Sequence, residues 1–194
     1  ISRGAGDIYR VATDEYPYPA PGGYYIDSRF VRTCADKPPD RAKRIPAKRA
    51  ILAALFVSDG SDYLWGGNLG EGIPQMLDFY PPPAPLGREE RNRWILRGLD
   101  CSGLLYQATG GFTPRNTSAL TTFGEPVPIA NLSVKQIIAA VEPLDIIVWP
   151  GHVIIVLDRY RVIESRLDYD ATQPGNQGGV RIRKIGDVLG EIMQ

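Results

Sequence analysis

A cysteine and a histidine are the two residues of this 194-residue chain best suited to covalent chemistry. Cys101 lies at the predicted start of a helix, and His152, the only histidine, lies on an apolar strand. A free thiol titrates near about pH 8.5, so a cysteine hydrolase must lower that value to form the nucleophilic thiolate. A helix N-terminus favours negative charge, and an adjacent histidine takes the proton and later donates it to a leaving amine. The pair therefore predicts a cysteine hydrolase.

The second cysteine, Cys34, could leave the nucleophile as a free thiol or bind it in a disulfide. Cys34 and Cys101 form either one disulfide or two thiols, and a disulfide would consume the nucleophile. The plainer alternative is a small buried cysteine and an unrelated strand histidine. One histidine and two cysteines, all far apart in sequence, match no zinc-ligand spacing. We expect neither a metal nor a cofactor.

The elements that position the pair are predicted from hydrophobic patterns and turn residues. Helices are expected over residues 46–58, 88–96, 101–108 and 133–141, with a short C-terminal helix after Gly186. Strands are expected over residues 144–148, 152–157, 161–165 and 180–185. Because helices come first and most strands later, the pattern favours an α+β fold with an antiparallel sheet.

Two segments outside these elements are rich in proline. Residues 1–45 are predicted to form an extended Tyr/Pro-rich arm, which either packs on the body or lines a cleft. Residues 46–194 then form one domain, with an insertion at about 68–98 that includes a proline run at 81–85. A long connection directly before a reactive motif is often a cleft wall or lid, although a surface loop is the alternative.

Composition and charge exclude several classes of function. The formal net charge is zero, which argues against nucleic-acid binding because phosphate contacts need clustered Lys and Arg. The longest apolar run, 146–157, is interrupted by Pro150 and Gly151 and is shorter than the roughly 18 residues of a membrane span. The chain has no signal peptide and does not begin with Met, so we expect a mature or trimmed form. We also expect a monomer.

Several motifs around the cysteine and the histidine occur in a recognisable order. They are Tyr63-Leu64-Trp65-Gly66-Gly67, Asp100-Cys101-Ser102-Gly103-Leu104, Pro114-Arg115-Asn116-Thr117-Ser118, Gly124-Glu125-Pro126-Val127, Pro143-Leu144-Asp145-Ile146-Ile147 and Gly151-His152-Val153. Over roughly residues 46–190 this array resembles the NlpC-type family of papain-like cell-wall cysteine peptidases. The insertion is longer than the family usually has.

The resemblance implies a fold, a reaction and a location. The fold is papain-like, with the nucleophile helix packed on a central antiparallel sheet that carries the histidine. The reaction is hydrolysis of amide bonds in peptidoglycan stem peptides, most often between γ-D-glutamyl and a diamino acid, through a thioester acyl-enzyme. The location is secreted, periplasmic or associated with the cell wall.

The resemblance also assigns roles to individual residues. It implies that Cys101 is the nucleophile, that His152 is the general base, and that the Tyr63 hydroxyl helps to hold the oxyanion or the substrate. Substrate contacts are expected from Asp100, Ser102, Trp65 and Arg115. Helix capping and turn formation are the alternatives for Asp100 and Ser102, and a structural salt bridge is the alternative for Arg115.

The third, orienting residue is where this chain departs from the family pattern. The family position usually holds His, Asn or Gln, and here it holds Glu164, whose carboxylate can accept the imidazole N–H. A three-residue turn at residues 158–160 places Ile154 opposite Glu164, diagonal to His152 and within side-chain reach. A two-residue turn points Glu164 away. The role of Glu164 thus depends on one residue of hairpin register.

Two other functions remain open at this point. One is an amidase or acyltransferase, including a toxin-like effector, that uses the same dyad on a substrate other than peptidoglycan. The other is a catalytically silent binding module with the same shape. Fold alone does not separate these functions from a peptidase.

Overall fold

The structure, a computed structural model, describes residues 7–13, 20–36, 43–167 and 178–193. The strands of these residues are β1 (Ile8–Val11), β2 (Tyr24–Asp27), β3 (Asn68–Leu69), β4 (Gly98–Leu99), β5 (Ile146–Trp149), β6 (His152–Val156), β7 (Arg161–Arg166) and β8 (Gly179–Lys184). The α-helices are α1 (Lys48–Val57), α2 (Met76–Phe79), α3 (Arg88–Trp94), α4 (Cys101–Ala108), α5 (Thr117–Leu120), α6 (Val134–Ala140) and α7 (Ile185–Ile192). Helices and antiparallel sheets make this an α+β fold.

A four-stranded antiparallel sheet in the order β5-β6-β7-β8 forms the centre of the fold. Its strands are rich in β-branched residues, and alternate residues face opposite sides. Val153 and Ile155 of β6 belong to a core shared with α1 and α4, whereas Ile154 and Val156 belong to a core shared with α6 and α7. The sheet therefore lies between two layers of helices.

Helix α4 packs on this sheet through a fully buried leucine and a glycine that approaches another backbone. Leu104 has no exposed surface, and the helix contacts both β6 and β7. A Cβ placed on Gly103 would lie 1.9 Å from the backbone oxygen of Gly67, so only glycine fits there. The close contact holds the first turn of α4 against the loop that follows Tyr63.

The N-terminal arm contains a strand pair that the sequence did not predict. Strands β1 and β2 are hydrogen-bonded to each other in antiparallel register. Much of the Tyr-Pro run, residues 14–19, lies outside the described residues. The arm packs on the body, because Arg29 donates to the backbone oxygen of Phe79 at 2.9 Å and Phe30 meets Phe79 edge to face.

The insertion has its own short elements and is anchored at two places. At its base, β3 pairs with β4, and at its far side α2 contacts the N-terminal arm. The expected charged helix is confirmed as α3. The insertion is thus a structured wall beside the domain, rather than an unattached surface loop.

Candidate active site

The nucleophile candidate lies in the first turn of α4, which a carboxylate caps. Asp100 Oδ1 accepts the backbone N–H of Gly103 at 2.6 Å, and Asp100 Oδ2 accepts the N–H of Gly66 at 3.0 Å. The first bond satisfies a donor that a helix start otherwise leaves unpaired, and the second ties the loop after Tyr63 to the cap. The half-buried Cys101 begins the helix, and its own backbone N–H belongs to this unpaired set.

A buried arginine holds this cap in position. Arg115 donates to both carboxylate oxygens of Asp100, at 3.0 and 2.9 Å, and also to Ser102 Oγ at 3.0 Å and the backbone oxygen of Gly67 at 3.2 Å. Its side chain is 8% exposed. A bidentate arginine–carboxylate pair fixes geometry as well as charge, so this network aligns the start of α4.

The histidine candidate is brought to Cys101 by the tight β5–β6 turn. Gly151, with φ of 104°, allows this turn, and its N–H donates to Thr117 Oγ1 at 3.0 Å. The Cys101 thiol lies 3.8 Å from the backbone oxygen of Gly151. His152 follows directly, and its side chain lines the same cleft as Cys101.

Of the two turn lengths that the sequence left open, the β6–β7 register is that of the three-residue turn. Ile155 pairs with Ile163 and Val156 with Val162, and the same register places Ile154 opposite Glu164. His152 Nε2 and Glu164 Oε2 are 2.7 Å apart across the diagonal. Because Nε2 is engaged by Glu164, Nδ1 is the ring nitrogen left for Cys101.

Glu164 is itself held by a second cation that the sequence reasoning missed. Arg183 Nη1 donates to Glu164 Oε1 at 2.9 Å, and its Nη2 donates to Glu191. The Glu164 side chain is only 3% exposed, so both carboxylate oxygens are used inside the protein. Arg183 lies diagonal to Glu164 across the β7–β8 ladder, as Val162 pairs with Arg183. In β8 charged residues alternate with apolar ones, which is the one sequence signal for this contact. The signal can be used only when the register between β7 and β8 is known.

The electrostatics of the site favour a protonated histidine beside an ionised carboxylate. Burial alone lowers the pKa of His152, but hydrogen bonds with Cys101 and Glu164 outweigh it and raise the pKa to about 9. Burial would raise the pKa of Glu164, yet hydrogen bonds from His152 and Arg183 hold it below its usual value of 4.5. The carboxylate can therefore stabilise an imidazolium at neutral pH.

A cleft of about 710 Å³ opens onto the cysteine and the histidine. Tyr63 and Trp65 line one side, and Trp65 is 86% exposed, as expected for a side chain available to a ligand. Burial, and then electrostatic interactions with Asp100 and Cys101, raise the pKa of Tyr63 to about 12. Its hydroxyl therefore keeps its proton at neutral pH and can donate a hydrogen bond.

The predicted site residues fall into two groups. The structure brings five of them to the cleft: Cys101, His152, Glu164, Tyr63 and Trp65. The remaining three, Asp100, Ser102 and Arg115, lie behind the start of α4. Ser102 is 4% exposed and bonds to the other two, because this network satisfies groups buried under the helix. Ser102 and Arg115 are therefore buried structural partners of Asp100 rather than residues that line the cleft. Asp100 itself acts as the helix cap.

Three further observations concern the thiols, metal binding and membrane spans. Cys34 and Cys101 are both free thiols, and Cys34 is exposed. Within the described ranges, no group of three or more His, Cys, Asp and Glu side chains is placed to hold a metal ion. No helix in the described part of the chain is long and apolar enough to cross a membrane.

Comparison of the chain with protein-family models, with curated proteins and with solved structures finds no match in any of the three.

Proposed function

We propose that this protein is a cysteine endopeptidase that cleaves amide bonds in peptidoglycan stem peptides through a thioester acyl-enzyme. The observation that carries the proposal is the 2.7 Å contact between His152 Nε2 and Glu164 Oε2, on a histidine that lines the same cleft as Cys101. A thiol, a base and a carboxylate joined in this order, at the mouth of a cleft, form the arrangement of an activated nucleophile.

The proposed reaction proceeds in two stages. The Cys101 thiolate attacks the substrate carbonyl carbon, and the resulting oxyanion is held by the backbone N–H of Cys101 and the Tyr63 hydroxyl. The C–N bond then breaks as the His152 imidazolium donates its proton to the departing amine, which leaves a thioester. His152 next removes a proton from water, the hydroxide adds to the thioester, and the acid is released as the thiolate re-forms.

The remaining residues contribute through His152 and the shape of the cleft. Glu164 keeps the imidazole ring oriented and stabilises its positive charge, and Arg183 keeps the carboxylate ionised. Trp149, whose ring centroid is 5.2 Å from that of His152, covers the ring on one side. Electrostatic interactions of a ring that is partly shielded from water are stronger, because the local dielectric constant is lower.

The substrate class is supported by the sequence motifs rather than by the geometry alone. The NlpC-type resemblance runs from Tyr63-Leu64-Trp65-Gly66-Gly67 to Gly151-His152-Val153, and it points to the γ-D-glutamyl–diamino acid bond. We extend the proposal to a papain-like fold, to a monomer that acts on stem peptides, and to a secreted, periplasmic or cell-wall location. The free state of both thiols supports a working nucleophile over a silent module whose thiol is blocked.

Digestion of purified muropeptides tests this proposal directly. The wild-type chain and Cys101→Ala are incubated with the muropeptides, and the products are identified by mass spectrometry. We expect loss of a γ-D-glutamyl–diamino acid bond only with Cys101 intact, and Cys34→Ser should retain the activity. Rapid alkylation of Cys101 without any cleavage would instead indicate an amidase or acyltransferase with another substrate. Slow alkylation without cleavage would indicate the binding module.

A further inference from the structure

A second cavity, of about 430 Å³, adjoins the active-site cleft, and Tyr63 lines both. One wall is the loop over residues 60–64, and the other walls come from α3 in the insertion and from β8. A molecule bound at Cys101 that extends past Tyr63 therefore enters this cavity.

The side chains around this cavity carry an excess of positive charge. Four arginines line it: Arg88, Arg93, Arg97 and Arg181. Among the described lining residues, two are carboxylates, Asp62 and Glu89, so positive charges exceed negative charges by two. Asp62 is already engaged, since its Oδ2 accepts from Asn92 at 3.0 Å.

The carboxylates beside the arginines balance only part of their charge. The side chains of Arg88 and Arg93 have no hydrogen-bond or ion-pair partner within the described part of the chain. Among the described residues, Arg181 donates to the backbone oxygen of Val180 at 2.8 Å. Arg97 donates through Nε to the backbone oxygen of Gly70 at 3.2 Å and lies 3.9 Å from the exposed carboxylate of Glu71. Guanidinium groups that outnumber the carboxylates beside them match an anionic ligand, which they bind through paired N–H donors.

We propose that this cavity binds a carboxylate of the substrate peptide, on the part of the substrate that extends past Tyr63. The inference rests on the proposed function, because one peptide must span both cavities. A planar carboxylate fits the two-pronged guanidinium, and a peptide held by its amide at Cys101 presents its carboxylates only a few bonds away. The insertion thus provides selectivity for anionic substrates.

A matched pair of substrates tests this assignment in the full chain. Two forms of one muropeptide are compared, with the stem-peptide carboxylates either free or amidated. The wild type should have the higher kcat/KM for the free form, by about tenfold, which corresponds to about 1.4 kcal/mol, near the lower limit for a charge-assisted hydrogen bond. Arg93→Gln and Arg88→Gln should each reduce this preference through KM, while cleavage of the amidated form stays unchanged.

The control variant is Arg91→Gln, which removes an exposed arginine of the same helix that does not line the cavity. It should leave the preference as in the wild type. If the wild type and Arg93→Gln prefer the free form equally, the inference is overturned. It is also overturned if Arg91→Gln loses as much of this preference as Arg93→Gln does, because that would indicate only a general effect of charge.

A binding titration separates failure of this inference from failure of the proposed function. Glutarate and inorganic phosphate are titrated into the wild type and Arg93→Gln, and the amide NMR signals of residues 60–64 and 88–97 are followed. Glutarate should shift these signals and bind about tenfold more weakly to the variant. If no muropeptide is cleaved but glutarate binds here, only the hydrolase proposal fails. Binding of phosphate without glutarate, or of neither, would refute the carboxylate site.

Discussion

Replacement of Glu164 by glutamine tests the electrostatic basis of the candidate site. Glutamine has nearly the same shape, and its amide oxygen can still accept the ring N–H of His152, but it lacks the negative charge. Glu164→Gln therefore removes the charge and retains the packing. We expect the imidazolium to lose a large share of its stabilisation.

The size of the effect follows from the pKa of His152. Its rise from 6.5 to about 9 corresponds to about 3 kcal/mol in favour of the protonated ring. Because burial opposes this rise, the hydrogen bonds with Cys101 and Glu164 together contribute more than that amount. A hydrogen bond to a charged group contributes about 1.5–3 kcal/mol, so Glu164→Gln should lower the pKa by about 1–2 pH units.

Titration by NMR measures this pKa directly, because the chain contains only one histidine. The imidazole signal of the wild type should titrate near pH 9, and that of Glu164→Gln should titrate between about pH 7 and 8. The matched control is Glu191→Gln, which removes a carboxylate that contacts Arg183 but not the ring, and its effect should be much smaller. Equal pKa values in the wild type and Glu164→Gln, or a wild-type value near 6.5, would refute the reasoning.

Three further predictions concern packing, the oxyanion and pH. Gly103→Ala should lower the free energy of unfolding by at least about 1–3 kcal/mol, because the added Cβ would lie 1.9 Å from the backbone oxygen of Gly67. Gly190→Ala, in open space on α7, should instead raise that free energy by up to about 1 kcal/mol in the same urea titration. Tyr63→Phe should lower kcat of muropeptide cleavage by about 10²–10³-fold with a smaller change in KM, and an unchanged kcat would exclude the hydroxyl as an oxyanion donor. The stabilisation that His152 gives is complete below pH 6.5 and is lost as the pH rises toward 9, whereas that of Glu164 is present above pH 4.5 and is lost in more acid solution. Urea titrations should thus show the largest stability difference between the wild type and Glu164→Gln between about pH 4.5 and 6.5.

Local sequence signals were sufficient for the elements that carry the nucleophile and the base. Helix α4 has the predicted limits, because Asp100 is a good N-cap and Gly110 and Gly111 end the helix. For the register that joins His152 to Glu164, the sequence left two turn lengths open, and the structure has the three-residue turn.

Contacts between distant segments could not be predicted in this way. The pairing of β1 with β2 was missed because proline and glycine dominate the composition of the arm and hide the alternation of a strand. Arg183 was missed because its contact with Glu164 depends on how β8 aligns with β7 after a long connection. The sequence shows that Arg115 is charged but not that it is buried. Its burial depends on how its own segment packs against those of Asp100 and Gly67.

The turn at residues 158–160 has a consequence for how this sequence can change over evolutionary time. Its side chains are largely exposed, and surface loops of this kind normally accept insertions and deletions as readily as substitutions. Here loss of one residue would rotate Glu164 to the opposite face of the sheet, away from His152. We therefore expect that active descendants of this chain vary in the identity of residues 158–160 but keep their number at three.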